Sequence, residues 1–382
     1  MATNPNLLVL KDLLQLPGNN ECVDCGAPDP DWASYNLGVF ICQECAGIHR
    51  SLGTHISKVR SITLDKWDDG QVEAMKDMGN LRSNELYVAE APACYRRPLP
   101  SDVQVIREQW IMAKYVRKEF IDVEKQTYLT GTRDGILYKK GRDDGKFLPR
   151  RFVLSEAENT LKYYTDKKDP KAVINLDTVN ATFAPEKINH ANGLQITYDK
   201  DGSTRCLYVF SEIAQEIVDW YTSIRCAKLN RLRVAFPSRD DADLVASLNS
   251  DFLMEGWLSK TGPQKNHAFK KRWFTLDKRK LMYFDEPLAA FAKGEVFIGY
   301  REQGYSVGEK VPSNRSQVGY GFTLTVPDRD FILSAETKEE QLKWIEVLNS
   351  VIDTLVSPQD SSLSHFMVRK RGNSALNMLK IK

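Results

Sequence analysis

The sequence lacks any uninterrupted apolar run approaching the roughly 18 residues that a membrane-spanning helix requires, so no segment is expected to cross a bilayer. Its N-terminus lacks the basic start and small-residue cleavage site of a secretory signal. Leu7-Leu8-Val9-Leu10 begins as an apolar stretch, but Lys11 and Asp12 end it. A cytoplasmic setting is therefore expected, with all seven cysteines reduced unless they hold metal. An excess of charge of either sign is also missing. The formal net charge is +2 over 382 residues, which excludes a polycation gripping phosphate along its whole length. Any affinity for phosphate has to come from local clusters.

What is present fits a globular chain. Hydrophobic residues make up 42% and charged residues 27%, and the length accommodates two or three domains. The cysteines are unevenly spread. Cys22, Cys25, Cys42 and Cys45 fall within the first fifty positions, whereas Cys94, Cys206 and Cys226 are scattered. The Cys-x2-Cys pairs at 22/25 and 42/45 have the spacing of a four-thiolate zinc site. Four protein ligands leave the metal no open position, so such a site is structural rather than catalytic. On spacing alone, a knuckle of this kind could present DNA-reading residues, a ubiquitin-pathway surface or a GTPase contact.

This first module is expected over residues 1–125. Its last helix is read from Ser101 to Phe120, with Ser101 and Gln104 in capping-box spacing and Val103, Ile106 and Trp110 on a helical period. Lys125 to Arg133 is polar and turn-rich, and reads as a linker.

The remainder repeats itself. Gly135-Ile136-Leu137-Tyr138-Lys139 matches Gly256-Trp257-Leu258-Ser259-Lys260, and Arg151-Phe152 is matched with Arg272-Trp273, each pair 121 residues apart. Both copies open with short β-branched and aromatic runs. Phe322 to Val326 alternates as a half-buried strand should. Both close on one amphipathic helix, marked by Ile213, Ile217, Trp220 and Ile224 in the first copy and by Trp344, Leu348, Val351 and Leu355 in the second. Thr337 and Glu340 form a capping box for the latter. The copies are expected at residues 131–232 and 252–356, each a small barrel or sandwich plugged by a helix. The fold class is thus multidomain α+β. Residues 357–382, rich in Ser, Asn and Lys/Arg, are expected to be a disordered tail, with a basic amphipathic membrane contact over Phe366 to Lys382 as the second reading.

The residues around the cysteines are distinctive. Asp31-Trp32-Ala33-Ser34, Gly38-Val39-Phe40-Ile41-Cys42, Cys45-Ala46-Gly47-Ile48-His49-Arg50, Ser51-Leu52-Gly53, Ile56 to Ser61 and Leu64-Asp65-Lys66-Trp67 closely resemble the Arf GTPase-activating domain. The resemblance covers most of residues 7–120. It implies one structural zinc, a GTP-bound Arf-family GTPase as partner, and Arg50 as the catalytic arginine supplied in trans, which makes the chain an enzyme activator rather than an enzyme. A guanidinium suits developing charge on phosphate oxygens because it stays ionised and donates as a planar fork. His49 reads as a packed or hydrogen-bonded residue, since the thiolates fill the metal shell. Trp32 reads as packing beside the zinc module. Asp65 has two readings, a structural turn or a contact to Arg50 or the GTPase.

Each repeat resembles a pleckstrin-homology domain, and the whole arrangement resembles the dual-pleckstrin-homology Arf-activating proteins, the α-centaurins. The resemblance implies phosphoinositide sites. In the second repeat these are Lys260, Lys270 and Arg272 with Tyr283 and Lys293; in the first, Lys139 and Arg151 with Tyr163 and Lys171. Pro149 stands where a basic residue is expected, and Arg150 is read as facing away. The implied ligands are phosphatidylinositol trisphosphate and its soluble inositol tetrakisphosphate headgroup, with recruitment to the plasma membrane. A phosphoinositide-binding adaptor with a non-catalytic zinc module is the alternative. A nucleic-acid-binding role is not expected, because no strongly basic segment follows the second knuckle.

Overall fold

The computed structural model describes residues 5–142, 145–262, 268–309 and 319–356. The tail expectation, including the membrane-contact reading, lies outside the described residues. Among them, no helix is long and apolar enough to cross a membrane.

The first module is mostly helical around a small sheet. Helix α1 (Pro5–Leu14) precedes strands β1 (Trp32–Ser34) and β2 (Val39–Ile41), helix α2 (Gln43–Ser51), strand β3 (Val59–Ser61), and helices α3 (Asp69–Asp77), α4 (Gly79–Tyr87) and α5 (Gln104–Ile111). β1 is the central strand, antiparallel to both β2 and β3. Helix α5 differs from its expectation. Its N-cap is Val103, without a side-chain cap, because Asp102 accepts from the Leu99 amide at 2.8 Å and pairs with Arg96. That pair fixes the entry turn, and Ser101 is left outside it. Beyond Ile111 the helix widens into a π-turn over Met112–Arg117, ended by left-handed Lys118.

The two repeats are built alike. The first has β4 (Thr132–Lys140), β5 (Phe147–Ser155), β6 (Thr160–Tyr164), β7 (Ala172–Asn175), β8 (Asn180–Phe183), a short helix α6 (Pro185–Ile188), β9 (Gly193–Lys200), β10 (Ser203–Phe210) and helix α7 (Ala214–Ala235). After a short helix α8 (Asp241–Val245), the second has β11 (Met254–Lys260), β12 (Lys270–Leu276), β13 (Lys280–Phe284), β14 (Gly294–Phe297), β15 (Ser306–Gly308), β16 (Tyr320–Val326), β17 (Arg329–Ala335) and helix α9 (Lys338–Ile352). Each forms a seven-stranded antiparallel sheet, ordered β7-β6-β5-β4-β10-β9-β8 and β14-β13-β12-β11-β17-β16-β15. Trp220 and Trp344 are buried where each closing helix meets its sheet. The Thr337–Glu340 capping box is formed, and Phe322, Leu324 and Val326 face inward along β16. Ile213 and Leu355 fall just outside their helices and are exposed.

Two further expectations are corrected. Residues 125–133, read as a linker, are packed down at two positions: Gln126 is 3% exposed, and Tyr128, in a 3-10 turn over Thr127–Leu129, is 2% exposed. Its ring packs on Tyr95 at 5.3 Å, and its hydroxyl donates to Glu119 at 3.4 Å. The cysteines outside the cluster are not all reduced, because Cys94 and Cys226 form a disulfide across 132 residues with Cα atoms 5.0 Å apart. Helix α7 lies against the first module and makes this pairing possible, with Arg225 Nε donating to the Cys94 carbonyl at 2.7 Å. The repeats are also docked on each other. The Cys206 amide donates to the Ala290 carbonyl at 3.0 Å and the Tyr208 hydroxyl to the Pro287 carbonyl at 2.9 Å.

If residues 126–130 are a packed joint, Tyr128→Ala removes a fully buried ring and should cost about 3–5 kcal/mol, the range for large aromatic truncations. Urea denaturation checks this, and a loss below about 1 kcal/mol would restore the linker reading.

Candidate functional site

The cysteine cluster is assembled by two short turns. The first knuckle closes through the Cys22 amide to the Ala27 carbonyl at 2.7 Å and the Gly26 amide to the Cys22 carbonyl at 2.9 Å. Gly26 has φ of +73°, a left-handed turn that favours glycine. In the second, Cys42 is the N-cap of α2 and Cys45 lies in its first turn. All four sulfurs lie within 4.8 Å of one another, and Cys25 and Cys42 Sγ are 3.6 Å apart. A tetrahedral ion with metal–sulfur bonds of about 2.3 Å requires sulfurs roughly 3.8 Å apart, so this donor set fits one soft divalent metal.

Helix α2 carries both residues singled out after the cluster. His49 is fully buried. Its Nε2 lies 2.9 Å from Asp24 Oδ2 and its Nδ1 2.9 Å from Ser57 Oγ, so both ring nitrogens are engaged and the ring is no metal ligand. Arg50 follows at about 100° around the helix and is exposed. Its guanidinium carbon lies 4.2 Å from the centroid of the Trp32 ring, a cation–π distance. Trp32 thus supports Arg50 in addition to packing, which sequence reasoning missed. Asp65 accepts from the Ser61 amide at 2.7 Å, which is the turn role of its two readings.

The sheet registers decide which basic residues share a pocket. In the second repeat Lys260 pairs with Lys270, Leu258 with Arg272 and Gly256 with Phe274. Leu258, Phe274 and Leu276 are core, so Lys260, Lys270 and Arg272 share the core-facing phase and extend it to the sheet's open end. Lys260 Nζ lies 4.8 Å from the Tyr283 ring centroid. Burial, then the charges of Arg329, Arg272 and Lys270, push the Lys260 ammonium below its ordinary range. The Lys293 amide closes the rim by donating to the Tyr283 carbonyl at 2.8 Å.

In the first repeat Lys139 pairs with Leu148, Leu137 with Arg150 and Gly135 with Phe152. The counterpart of Arg272 is therefore Arg150, and Leu148 rather than Pro149 takes the place of Lys270. The 121-residue offset holds in the first strand but becomes 122 in the second, because the second repeat's opening loop is one residue longer. Arg151 is corrected accordingly. It lies on the outer face, 57% exposed, paired with Asp134 and 5.6 Å from the Tyr164 ring centroid. Lys139, Arg150, Tyr163 and Lys171 do come together, lining a cavity of about 770 Å³. Lys139 Nζ stands 5.2 Å from the Tyr163 ring centroid, as Lys260 stands to Tyr283. Burial, then the charges of Arg150, Lys140 and Lys171, push Lys139 down to about 8. The signal that finds Arg150 is parity with Phe152 and Leu154, both core.

Residues 8–124 match the ArfGap family, described as GTPase activating protein for Arf, and residues 131–228 and 252–353 each match the PH domain family. The chain is 48% identical over 359 residues to Arf-GAP with dual PH domain-containing protein 2 of Rattus norvegicus, covering 91% of this chain and 94% of that protein. It is 47% identical to the Homo sapiens protein of that name, covering 91% and 93%.

The depressed Lys139 has a consequence for pH. A polyanion arriving beside it restores the charged form, so binding above about pH 8 takes up a proton. Headgroup phosphates are already largely ionised at neutral pH. Any affinity of the first cavity for such a polyanion should therefore fall about five- to tenfold between about pH 7 and pH 9, with inositol tetrakisphosphate as the probe. Calorimetry in buffers of different ionisation enthalpy checks both affinity and proton uptake, and a flat profile would contradict it.

Proposed function

The chain belongs to the dual-PH-domain Arf GTPase-activating proteins, and from that membership we propose that Arg50 is the group it lends to the GTPase, on membranes marked by phosphatidylinositol trisphosphate. The observation that carries this reading is the placement of Arg50, exposed on α2 and stacked on Trp32, one residue from a fully buried histidine that anchors the helix. A charged group held against a ring in this way enters a GTPase active site with little ordering cost. There it stabilises charge building on the phosphate oxygens, a contribution of about 10³–10⁵ in turnover, or roughly 4–7 kcal/mol of barrier.

The metal held by Cys22, Cys25, Cys42 and Cys45 is zinc in this reading. The all-sulfur donor set and the mutual sulfur distances support a structural ion that fixes the start of α2, and no step of hydrolysis passes through it.

Lipid recognition falls to Lys260, Lys270, Arg272, Tyr283 and Lys293 in the second PH domain, and to Lys139, Arg150, Tyr163 and Lys171 in the first. The second supplies three inward basic residues on its first two strands and the first only two, so the second should bind more tightly. Engaging both headgroups at once adds avidity and brings Arg50 to Arf-GTP at the plasma membrane. Soluble inositol tetrakisphosphate carries the same phosphates and competes for the same pockets.

Arg50→Lys should abolish most stimulation of GTP hydrolysis on Arf-loaded vesicles while vesicle binding stays at the parent level, since lysine keeps the charge but loses the fork. Near-parent turnover would favour the adaptor reading instead. The register assignment is tested separately: Arg150→Ala should weaken trisphosphate-vesicle sedimentation about tenfold, as losing a charge-assisted donor does, whereas Arg151→Ala should leave it within about twofold. The reverse order would return the first pocket to Arg151.

A further inference from the structure

The connection between β13 and β14 belongs to the second domain but lies across the first. Its Ala290 carbonyl accepts from the Cys206 amide on β10, and Asp285, Glu286 and Phe291 line the same cavity as Lys139, Arg150 and Lys171. Asp285 also faces its own domain's pocket. Its carboxylate is 2.8 Å from Lys293 Nζ and 3.4 Å from an Arg272 terminal nitrogen. Two of the cations assigned to phosphate in the second pocket are therefore already paired. The registers identify its counterpart. Tyr163 pairs with Phe152 as Tyr283 pairs with Phe274, so Thr165 holds the position of Asp285, and it too lines the first cavity. The first domain has a neutral residue there and receives its acid from the second.

We propose that Asp285 is a specificity-determining residue for anion binding at both pockets, a resident carboxylate that headgroup phosphate has to displace. The proposal rests on the reading of the pockets as inositol phosphate sites. A carboxylate carries one charge, whereas a phosphate monoester carries close to two at neutral pH and offers three acceptor oxygens. A multiply phosphorylated ring therefore outcompetes Asp285 for Arg272 and Lys293 by charge-assisted hydrogen bonds. A singly charged lipid head offers these cations little more than the carboxylate already does. Asp285 thus suppresses attachment to merely anionic membrane while permitting attachment to phosphoinositide. Its side chain is 47% exposed, so it moves aside without repacking the core. Asp285 also lines the first cavity, where the same negative charge opposes an incoming polyanion, but its ion pairs are with Arg272 and Lys293 of the second domain, so the smaller effect is expected at the first.

The test uses the full chain with Asp285→Asn and the charge-retaining Asp285→Glu. In a Lys139→Ala, Arg150→Ala background, which leaves the second pocket, Asp285→Asn should tighten inositol tetrakisphosphate binding about three- to tenfold by calorimetry. In a Lys260→Ala, Arg272→Ala background, which leaves the first, it should tighten binding about twofold. It should also raise sedimentation with phosphatidylcholine–phosphatidylserine vesicles free of inositide, and Asp285→Glu should stay at the parent level in every arm. Unchanged or weaker headgroup binding by Asp285→Asn, or a gain matched by Asp285→Glu, overturns the proposal. Failure of the parent chain to bind tetrakisphosphate at all refutes the pocket reading itself, and the proposal falls with it.

Discussion

A carboxylate with no exposed surface stands between the two cysteines of the first knuckle, and the arrangement of the N-terminal module depends on it. Asp24 receives Lys114 Nζ at 3.2 Å, the Tyr115 hydroxyl at 3.3 Å and the His49 ring at 2.9 Å. Burial alone favours the neutral acid, but Lys114 and His49 together outweigh it and hold Asp24 down to about 2. Lys114 is itself fully buried. Such a pair adds little net stability over an apolar packing, yet losing one partner costs about 3–5 kcal/mol because the other charge is stranded. Its value is positional. From Asp24 the contacts run through His49 to Ser57 and on to Ser34 at 2.8 Å. The π-turn, the knuckle, helix α2 and strand β1 are thereby held in one arrangement, and Trp32 on β1 faces Arg50 on α2 because of it.

Helix α7 extends this rigidity to the lipid-binding half of the chain. A helix closing an isolated sheet has one wet face, but α7 buries Asp219, Ser223 and Arg225 along with its apolar stripe. These polar residues are buried because the first module covers them. Arg225 reaches the Cys94 carbonyl and Asn249, the disulfide stands one residue further on, and Arg96 answers from the other side through Asp102 and Asp251. The π-turn where α5 ends donates Arg117 to Glu119, beneath Tyr128. Arg50 is consequently carried at a fixed attitude to the first lipid pocket rather than on a tether.

How legible each part was depends on whether its information is local. The cysteine cluster is legible because two three-residue steps and one longer gap encode it, and the Arf-activating and PH signatures are strings of neighbours. The core-facing positions of β16 and the cap of α9 follow from periods of two and from a four-residue motif. The Cys94–Cys226 bond is not legible, because the two thiols stand 132 positions apart and meet only once the chain between them has folded. Ser101 has the right spacing for a cap, but an ion pair from Arg96 to its neighbour fixes the turn first. Residues 125–133 are polar enough to read as a linker, yet the buried Gln126 and Tyr128 tie them to the core. Sequence parity puts Lys260, Lys270 and Arg272 on the core-facing side in the second repeat, whereas in the first the register exchanges Arg151 for Arg150, since a one-residue difference in a hairpin loop reverses which side of the sheet the next strand's residues face.

That last point explains how a nearly neutral chain concentrates positive potential. A basic residue on a strand contributes to a pocket only when it shares parity with the core, and the two parities are treated differently in this protein. Outward-facing Arg151 is neutralised by Asp134, and outward-facing Lys271 by Glu336. Inward-facing Lys139 and Arg150 donate to the backbone carbonyls of Lys140 and Pro149, and Lys260 to that of Thr261. A carbonyl satisfies a donor without cancelling its charge, so these groups keep their field and are partly desolvated as well. The depression of both Lys139 and Lys260 is the thermodynamic trace of that arrangement. Each pocket stores unfavourable charge in the folded state, and a polyanion relieves it on arrival. Selectivity for phosphate then arises from where the acids are absent, and from Asp285, an acid retained beside Arg272 and Lys293.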